Sequence, residues 1–137
     1  MKKSAFQFSN PCLKKLDFFE NPGYDSAKES VEIDISIDIN VDRFEDKNEA
    51  IVELSVDIGS KQDDFPFYIS ITEGALFKWD ENEIHDDENI NKFLNQNAPS
   101  LLLSYIRPIV ATVTSATQFN TYNLPFINFS GQKSKKE

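Results

Sequence analysis

Hydrophobic and polar residues alternate without a break from Val31 to Val41. The odd positions all carry β-branched apolar side chains, whereas acidic, serine and asparagine side chains occupy the even positions. A period of two predicts a β-strand that buries one face and leaves an acidic face in water. The β-branched residues at every inward position favour the same structure.

Three other segments also have strand patterns. Residues 5–20 alternate less strictly and are interrupted at Asn10-Pro11, so they predict a broken first strand. Residues 51–58 predict a third strand, and residues 65–79 predict a fourth strand with a β-bulge at Gly74. Short polar turns separate the segments, which predicts a four-stranded antiparallel meander.

A long apolar segment follows the strands. It starts at Asn97, which is a suitable helix N-cap, and Pro99 then falls in the first helical turn. The segment predicts a helix over residues 98–119, kinked at Pro108. A short helix with three inward side chains is predicted before it, those of Ile90, Phe93 and Leu94. Strands followed by a helix predict an α+β fold, with the sheet packed against one long C-terminal helix.

The apolar side chains of the long helix cover an unusually wide arc. At about 100° per residue they span roughly 200°, whereas a surface helix needs an arc of only about 100°. We therefore predict that this helix is covered on two sides, by the sheet and by another subunit of a dimer or tetramer. The residues predicted to form the oligomer interface are Leu102, Ile106, Ile109, Val110 and Val113.

Composition narrows the class of protein. The length of 137 residues suits one domain, which we predict over residues 1–129, followed by a flexible polar tail over residues 130–137. The content of 39% hydrophobic residues, with 12 Phe, excludes a chain that is disordered throughout. The net charge of −9 makes nucleic acids and anionic membranes poor partners and favours neutral or basic polypeptides.

The cysteine count, the first residues and the apolar run together predict where the protein is located. Cys12 is the single cysteine, which excludes a disulfide framework within the chain and fits a reducing compartment. The first residues are too polar for a signal peptide, and the apolar run from Leu101 is short and interrupted by Arg107. We predict a cytoplasmic location without membrane insertion.

The chain shows no constellation for catalysis. His85 lies beside Asp86, Asp87 and Glu88, but adjacent residues on a connector rarely converge on one metal ion. The four Gly are scattered, so no phosphate-binding loop is present. We predict no catalytic residue, no metal and no cofactor, and hence a protein that is not an enzyme.

A set of residues in the C-terminal half occurs in the same order in a known family, namely Pro99, Tyr105, Arg107, Phe119, Leu124, Asn128 and Phe129. Through these residues the C-terminal half resembles the SecB protein-export chaperone family. Upstream, Phe6-Gln7-Phe8, Phe19-Glu20-Asn21-Pro22 and Glu73-Gly74-Ala75-Leu76-Phe77 are similar to family segments in the same order. The matches span about residues 5–129. Typical members continue into a second amphipathic helix, which residues 131–137 do not supply.

The resemblance implies a function. It implies an ATP-independent holdase that binds unfolded polypeptides through apolar grooves and keeps them competent for export. It also implies docking of the SecA motor through Glu20, although the second docking position of the family is Ser70 here and is not acidic. Some members serve a single antitoxin, and this chain is a candidate for that role as well.

The apolar side chains after the long helix are candidates for client binding, because exposed apolar patches usually mark binding sites. The alternative, that this loop caps the core, is favoured for Leu124 and Phe129. Phe18 and Phe19 are neighbours on a strand and face opposite ways, so one of them is a further candidate. The predicted client-binding residues are Phe119, Tyr122, Leu124, Phe126, Ile127, Phe18 and Phe19.

A different class of protein shares this order of elements. Small-molecule carriers of the helix-grip type also combine an early sheet with a long C-terminal helix. Their sheets usually need more than four strands to curl around a cavity.

Overall fold

A computed structural model describes residues 4–25, 32–44, 46–62 and 64–130. These residues form an α+β fold, in which one antiparallel sheet carries a helical segment on one face. This confirms the predicted fold class. The strands are β1 (Phe6–Phe8), β2 (Cys12–Glu20), β3 (Ile35–Phe44), β4 (Glu49–Gly59) and β5 (Phe67–Trp79). The helical segment consists of α1 (Asp87–Lys92), a π-helical turn (Phe93–Asn97) and α2 (Ala98–Ser115).

The sheet contains five strands in the described residues, where four were predicted, because the interruption at Asn10-Pro11 divides the first strand into β1 and β2. Both pieces pair with β5, which at 13 residues is long enough for the two of them. The predicted meander is right for β3, β4 and β5. It is wrong for the first strand, which joins the free edge of β5 rather than β3.

Strict alternation separates the two faces of the sheet. The face under the helices is built from apolar side chains, whereas the opposite face carries hydroxyl and carboxylate groups. Strand β3 begins at Ile35, so Ile33 precedes it, and Val31 lies outside the described residues. The fully or nearly fully buried residues of the helix-bearing face include Ile39, Val41, Val52, Leu54, Val56, Ile58, Ile69, Ile71 and Phe77.

The predicted bulge at Gly74 is wrong. The pairing of β5 with β4 is regular through Gly74, and the irregularity lies in β2, between Leu13 and Lys15. Gly74 has a packing role instead. A Cβ atom there would meet Glu53 Cγ at 3.0 Å and Lys14 Cε at 3.4 Å, on the polar face of the sheet.

Asn97 is not an N-cap, because the helix does not begin there. Its backbone is helical and its side chain makes no cap hydrogen bond, since α1, the π-helical turn and α2 follow one another directly. The actual cap is Asp86, whose carboxylate accepts from the Glu88 N–H at 3.0 Å. The N–H of Ala98 donates to Phe93 O, which widens this turn of the helix. The next residue, Pro99, has no backbone N–H to donate. Helix α2 continues through Pro108 and ends at Ser115, four residues before the predicted end.

Three residues predicted for the oligomer interface belong to the core of the single chain. Helix α2 packs on β5 and β4, and Leu102, Ile106 and Val110 are fully buried against that side of the sheet. Their assignment to an interface was therefore wrong, because the sheet of the same chain already covers them. Ile109 and Val113 are only half-buried and stay available to a partner.

Candidate functional site

A second apolar stripe runs along α2 beside the side that packs on the sheet. Its members recur every four residues, which places them on one line of a helix. Tyr105 is 40% exposed, and the other three are half-buried. The stripe consists of Leu101, Tyr105, Ile109 and Val113. It corresponds to the part of the wide apolar arc that the sheet does not cover.

Strand β2 provides further uncovered apolar surface. Its register puts Leu13, Leu16 and Phe18 opposite Glu73, Ile71 and Ile69, on the helix-bearing face. Because α2 lies over β5 and β4, these side chains stay 47%, 39% and 39% exposed.

The register confirms that Phe18 and Phe19 face opposite ways. Phe19 pairs with Tyr68 on the polar face of the sheet and is also 39% exposed. The Lys61 ammonium lies 5.8 Å from the Phe19 ring and 5.5 Å from the Tyr68 ring. Of the two phenylalanines, only Phe18 therefore shares a face with the aromatic side chains that follow α2.

An aromatic cluster joins the end of β2 to the segment after α2. The Phe67 ring lies 6.4 Å from Phe18 and 6.1 Å from Tyr122, and Phe119 packs edge-on against Tyr24 at 5.7 Å. The Tyr122 N–H donates to Thr114 Oγ1 at 2.8 Å, which anchors the segment to the helix. Burial raises the pKa of the Tyr122 hydroxyl. Phe119 and Tyr122 are half-buried, so each contributes to the fold and to the surface.

Phe126 is the most exposed of the predicted client-binding residues, at 86%. Leu124 is fully buried and fixes the chain two residues earlier, while Ile127 is half-buried against the core. Arg107 Nε donates to Leu124 O at 2.7 Å, and the guanidinium carbon lies 4.4 Å from the centre of the Phe126 ring. A buried anchor and a cationic support thus hold one large aromatic side chain in water.

Glu73 interrupts the apolar face of β5. It pairs with Leu54 on one side and Leu13 on the other, and only 3% of it is exposed. Its Oε2 atom is buried and has no hydrogen-bond partner, and burial raises the pKa of the carboxyl group above 4.5. The burial of Glu73 was not predicted, although a carboxylate in phase with the buried positions of a strand is a signal that the sequence contains.

The polar face of the sheet is acidic, as predicted. A cavity of about 330 Å³ on it is lined by Asp38, Asp57, Lys15 and neighbouring hydroxyl groups. Glu20 does not lie with these residues. Its register partner is Phe67 on the other face, and its carboxylate accepts from Gln118 Nε2 at 2.6 Å.

His85 lies in the acidic segment between β5 and α1, where its Nδ1 atom is hydrogen-bonded to Glu81 O at 2.6 Å. The described residues contain no group of three potential metal ligands that could bind one ion. No helix formed by the described part of the chain combines the length and apolar composition that crossing a membrane requires.

Comparison with known proteins matches this chain to one protein family and to two sequence relatives. The SecB family, described as preprotein translocase subunit SecB, matches residues 2–135. An uncharacterized protein of Methanocaldococcus jannaschii is 27% identical over 98% of this chain and 86% of its own length. The protein-export protein SecB of Anaplasma phagocytophilum is 33% identical over 62% of this chain and 54% of its own length.

A solved structure shares the fold. It is the SecB-like chaperone of Mycobacterium tuberculosis in complex with a peptide from an antitoxin. It superimposes with a TM-score of 0.73 at 15% identity, covering 90% of this chain and 91% of the other.

Proposed function

This chain belongs to the SecB family, and we propose that it is an ATP-independent holdase that binds unfolded polypeptides through exposed apolar side chains. Family membership supports the chaperone role. The observation that carries the holdase mechanism is Phe126, which is 86% exposed although Arg107 and the buried Leu124 hold it in place. The proposal includes a cytoplasmic location and no catalytic step.

A fixed and exposed aromatic ring suits a protein that binds many sequences. A flexible side chain loses conformational entropy on binding, whereas a ring already held by its neighbours loses less. The half-buried rings of Phe119 and Tyr122 extend the apolar surface towards Phe18. Their contacts with Tyr24 and Phe67 show that they also support the fold, so Phe126 is the cleanest probe of client binding.

We expect the purified chain to suppress aggregation of a chemically unfolded protein without any nucleotide. Binding and release then depend on mass action alone, and the extent of suppression follows the ratio of chaperone to client. Light scattering of the diluted client, with and without ATP, measures this. If the client aggregates unchanged at tens of micromolar chaperone, the holdase proposal is wrong.

Replacing Phe126 by serine is expected to weaken client binding and to leave the fold intact. Removal of one aromatic contact costs about 1–2 kcal/mol, or about five- to thirtyfold in affinity. The matched control is Ile51→Ser, since Ile51 is also exposed but lies on the other face of the sheet. Fluorescence titration with a labelled unfolded client gives the affinity, and equal affinities for both variants would move the client site away from Phe126.

One narrower function has a specific observation in its favour. The M. tuberculosis structural neighbour was solved with an antitoxin peptide, so dedication to one antitoxin is the second candidate. A general holdase binds unrelated unfolded proteins with similar affinity, whereas a dedicated one prefers a single peptide by orders of magnitude. Competition between unfolded client proteins and candidate antitoxin peptides separates the two.

Export is the remaining part of the proposal. The name of the A. phagocytophilum relative places that protein in export. For this chain we propose delivery of clients to an export motor, through the acidic face of the sheet around Asp38 and Asp57 rather than through Glu20.

A small-molecule carrier of the helix-grip type is not favoured, because α2 packs directly on β4 and β5, where a ligand-binding cavity would have to lie.

Self-association completes the proposal. We propose that the stripe of Leu101, Tyr105, Ile109 and Val113 packs against another copy of the chain, giving a dimer or a tetramer. The support is a continuous apolar line, with three half-buried side chains and the exposed Tyr105, on a helix whose other side already packs on the sheet.

A further inference from the structure

The chain contains two arginines, and they differ in their partners. Arg43 pairs with Asp87 at 3.4 Å and also donates to Asn91 Oδ1 at 3.2 Å. Arg107 donates from Nε to Leu124 O, and no carboxylate of the described residues forms an ion pair with it. An arginine has five N–H donors. The N–H groups on the two terminal nitrogens of Arg107 therefore have no acceptor in the described part of the chain.

The sequence around Arg107 is free of carboxylates. The chain has 23 Asp and Glu residues in total, yet residues 89–130 contain none of them. The cationic side chains of this stretch are Lys92 and Arg107. The helical segment and the residues after it are therefore cationic, whereas the acidic residues that give the net charge of −9 lie outside this stretch.

The sheet beneath the helices does not reverse this local charge. Among the described residues, its helix-bearing face carries the carboxylates of Glu73 and Glu20. Glu73 is buried at 3% exposure, and Glu20 accepts from Gln118 Nε2 at 2.6 Å. The other carboxylates of the sheet lie on its polar face, on the far side of the molecule from α2. Arg107 is therefore a half-buried cation without a described counterion.

The guanidinium group of Arg107 lies beside the most exposed aromatic ring of the candidate site. Its central carbon is 4.4 Å from the centre of the Phe126 ring, and Phe126 is 86% exposed. A cation over one part of a ring leaves the remaining ring surface available for apolar contacts. An apolar surface and a set of charged N–H donors thus lie within reach of one short peptide segment.

We propose that Arg107 determines which client segments bind at Phe126, by selecting those in which an aromatic residue has an aspartate or glutamate two positions away. This rests on the holdase function proposed above and names its preferred substrate. Side chains two positions apart lie on the same face of an extended chain, about 7 Å from each other. The client ring packs on Phe126, and the client carboxylate accepts from the terminal N–H groups of Arg107.

Charge complementarity determines the occupant. A guanidinium group binds a carboxylate through two charge-assisted hydrogen bonds, which are stronger than its hydrogen bonds to a neutral carbonyl. The net charge of −9 repels acidic clients at long range, but at about 0.15 M salt charges separated by more than about 8 Å are largely screened. Direct contact with Arg107 therefore outweighs the acidic face of the sheet at this one site.

The test is competition by three short peptides against a labelled unfolded client, measured by fluorescence at about 0.15 M salt. The peptides share one uncharged, extended sequence with a central phenylalanine. They differ only in the residues two positions before and two positions after it, which are both aspartate, both asparagine or both lysine. We expect the wild type to bind the aspartate peptide about fivefold more tightly than the asparagine peptide, and the lysine peptide least tightly.

Two variants of Arg107 separate its charge from its structural contacts. Arg107→Gln removes the charge, so we expect the affinity ratio between the aspartate and asparagine peptides to fall to about one. Arg107→Lys keeps the charge without the planar group, so we expect a ratio of about two. A ratio within one variant is unaffected by a general loss of affinity, such as a shift of Phe126 would cause.

The matched control is Lys92→Gln, which removes the same unit of charge from the other cation of residues 89–130. Lys92 is exposed on α1 and is not among the contacts of Phe126. We expect this control to keep the wild-type ratio. Circular dichroism shows whether each variant is folded, and the wild-type peptide series tests the selection without any variant.

Several outcomes would overturn the inference. They are equal binding of the aspartate and asparagine peptides by the wild type, tightest binding of the lysine peptide, or no competition by any peptide. A ratio that survives in Arg107→Gln would assign the selection to another group, and an equal loss in Lys92→Gln would assign it to net charge. In all of these cases the labelled client still binds, whereas failure of that binding would refute the holdase proposal itself.

Discussion

Replacing Ile106 by aspartate is expected to unfold the chain. Ile106 is fully buried among apolar side chains in the core between α2 and the sheet, and the buried residues of the described part of the chain include no lysine or arginine that could compensate a carboxylate. A lone buried charge costs about 3–5 kcal/mol or more, in addition to the lost apolar contacts. Domains of this size are stable by only about 5–15 kcal/mol. Circular dichroism at neutral pH should therefore show loss of the native signal or a large fall in the melting temperature.

The matched control is Ile106→Val, which keeps the site apolar and removes one methylene group. It is expected to cost about 0.5–1.5 kcal/mol and to retain the fold. If Ile106→Asp were instead folded and merely dissociated into subunits, then Ile106 would face a partner. That result would contradict the packing of α2 on β4 and β5.

Most of the fold was predictable because its signals are local. Strict alternation from Ile35 onward fixes which side chains of β3 and β4 face the helices, and the structure confirms it. The partner of the first strand was not predictable, because pairing with β5 rather than β3 depends on the whole sheet. The N-cap signal at Asn97 failed for a similar reason, since a preceding helix continues directly into α2.

The width of the apolar arc on α2 was informative, but it could not say which half faces the sheet. Leu102, Ile106 and Val110 differ from Ile109 and Val113 only in their angle on the wheel. No charged residue lies within the roughly 200° arc, so no charge marks a border between the side that faces the sheet and the side that does not. The choice between core and interface therefore needed the position of the sheet.

The client-binding residues were predictable as a set and not one by one. An apolar residue in a loop is either an anchor or a displayed contact, and the sequence pattern is the same for Leu124 and Phe126. The structure separates them through Arg107, which binds the backbone of one and the ring of the other. In the sequence Arg107 is part of a family pattern and interrupts an apolar run, and neither feature predicts its role as a support for Leu124 and Phe126.

Replacing Ile109 by aspartate is expected to dissociate the assembly and to leave the subunit folded. Ile109 lies on the half-buried stripe of α2, where a carboxylate reaches water in the single chain but would be trapped unpaired between two copies. The penalty applies to every copy in the interface, so about 3–5 kcal/mol for each would abolish association at micromolar concentration. Light scattering should then give the subunit mass of 15.7 kDa.

The matched control is Ser104→Asp, which adds the same charge to an exposed position of α2 on a different side of the helix. It is expected to keep the mass of the wild-type assembly. Thermal melts should show that Ile109→Asp loses far less stability than Ile106→Asp, because only the latter buries its charge in the subunit core. If Ile109→Asp keeps the assembly mass, then the stripe is not the interface. If the wild type itself has a mass of 15.7 kDa at tens of micromolar, then the proposed self-association is wrong and the apolar stripe is available to another partner.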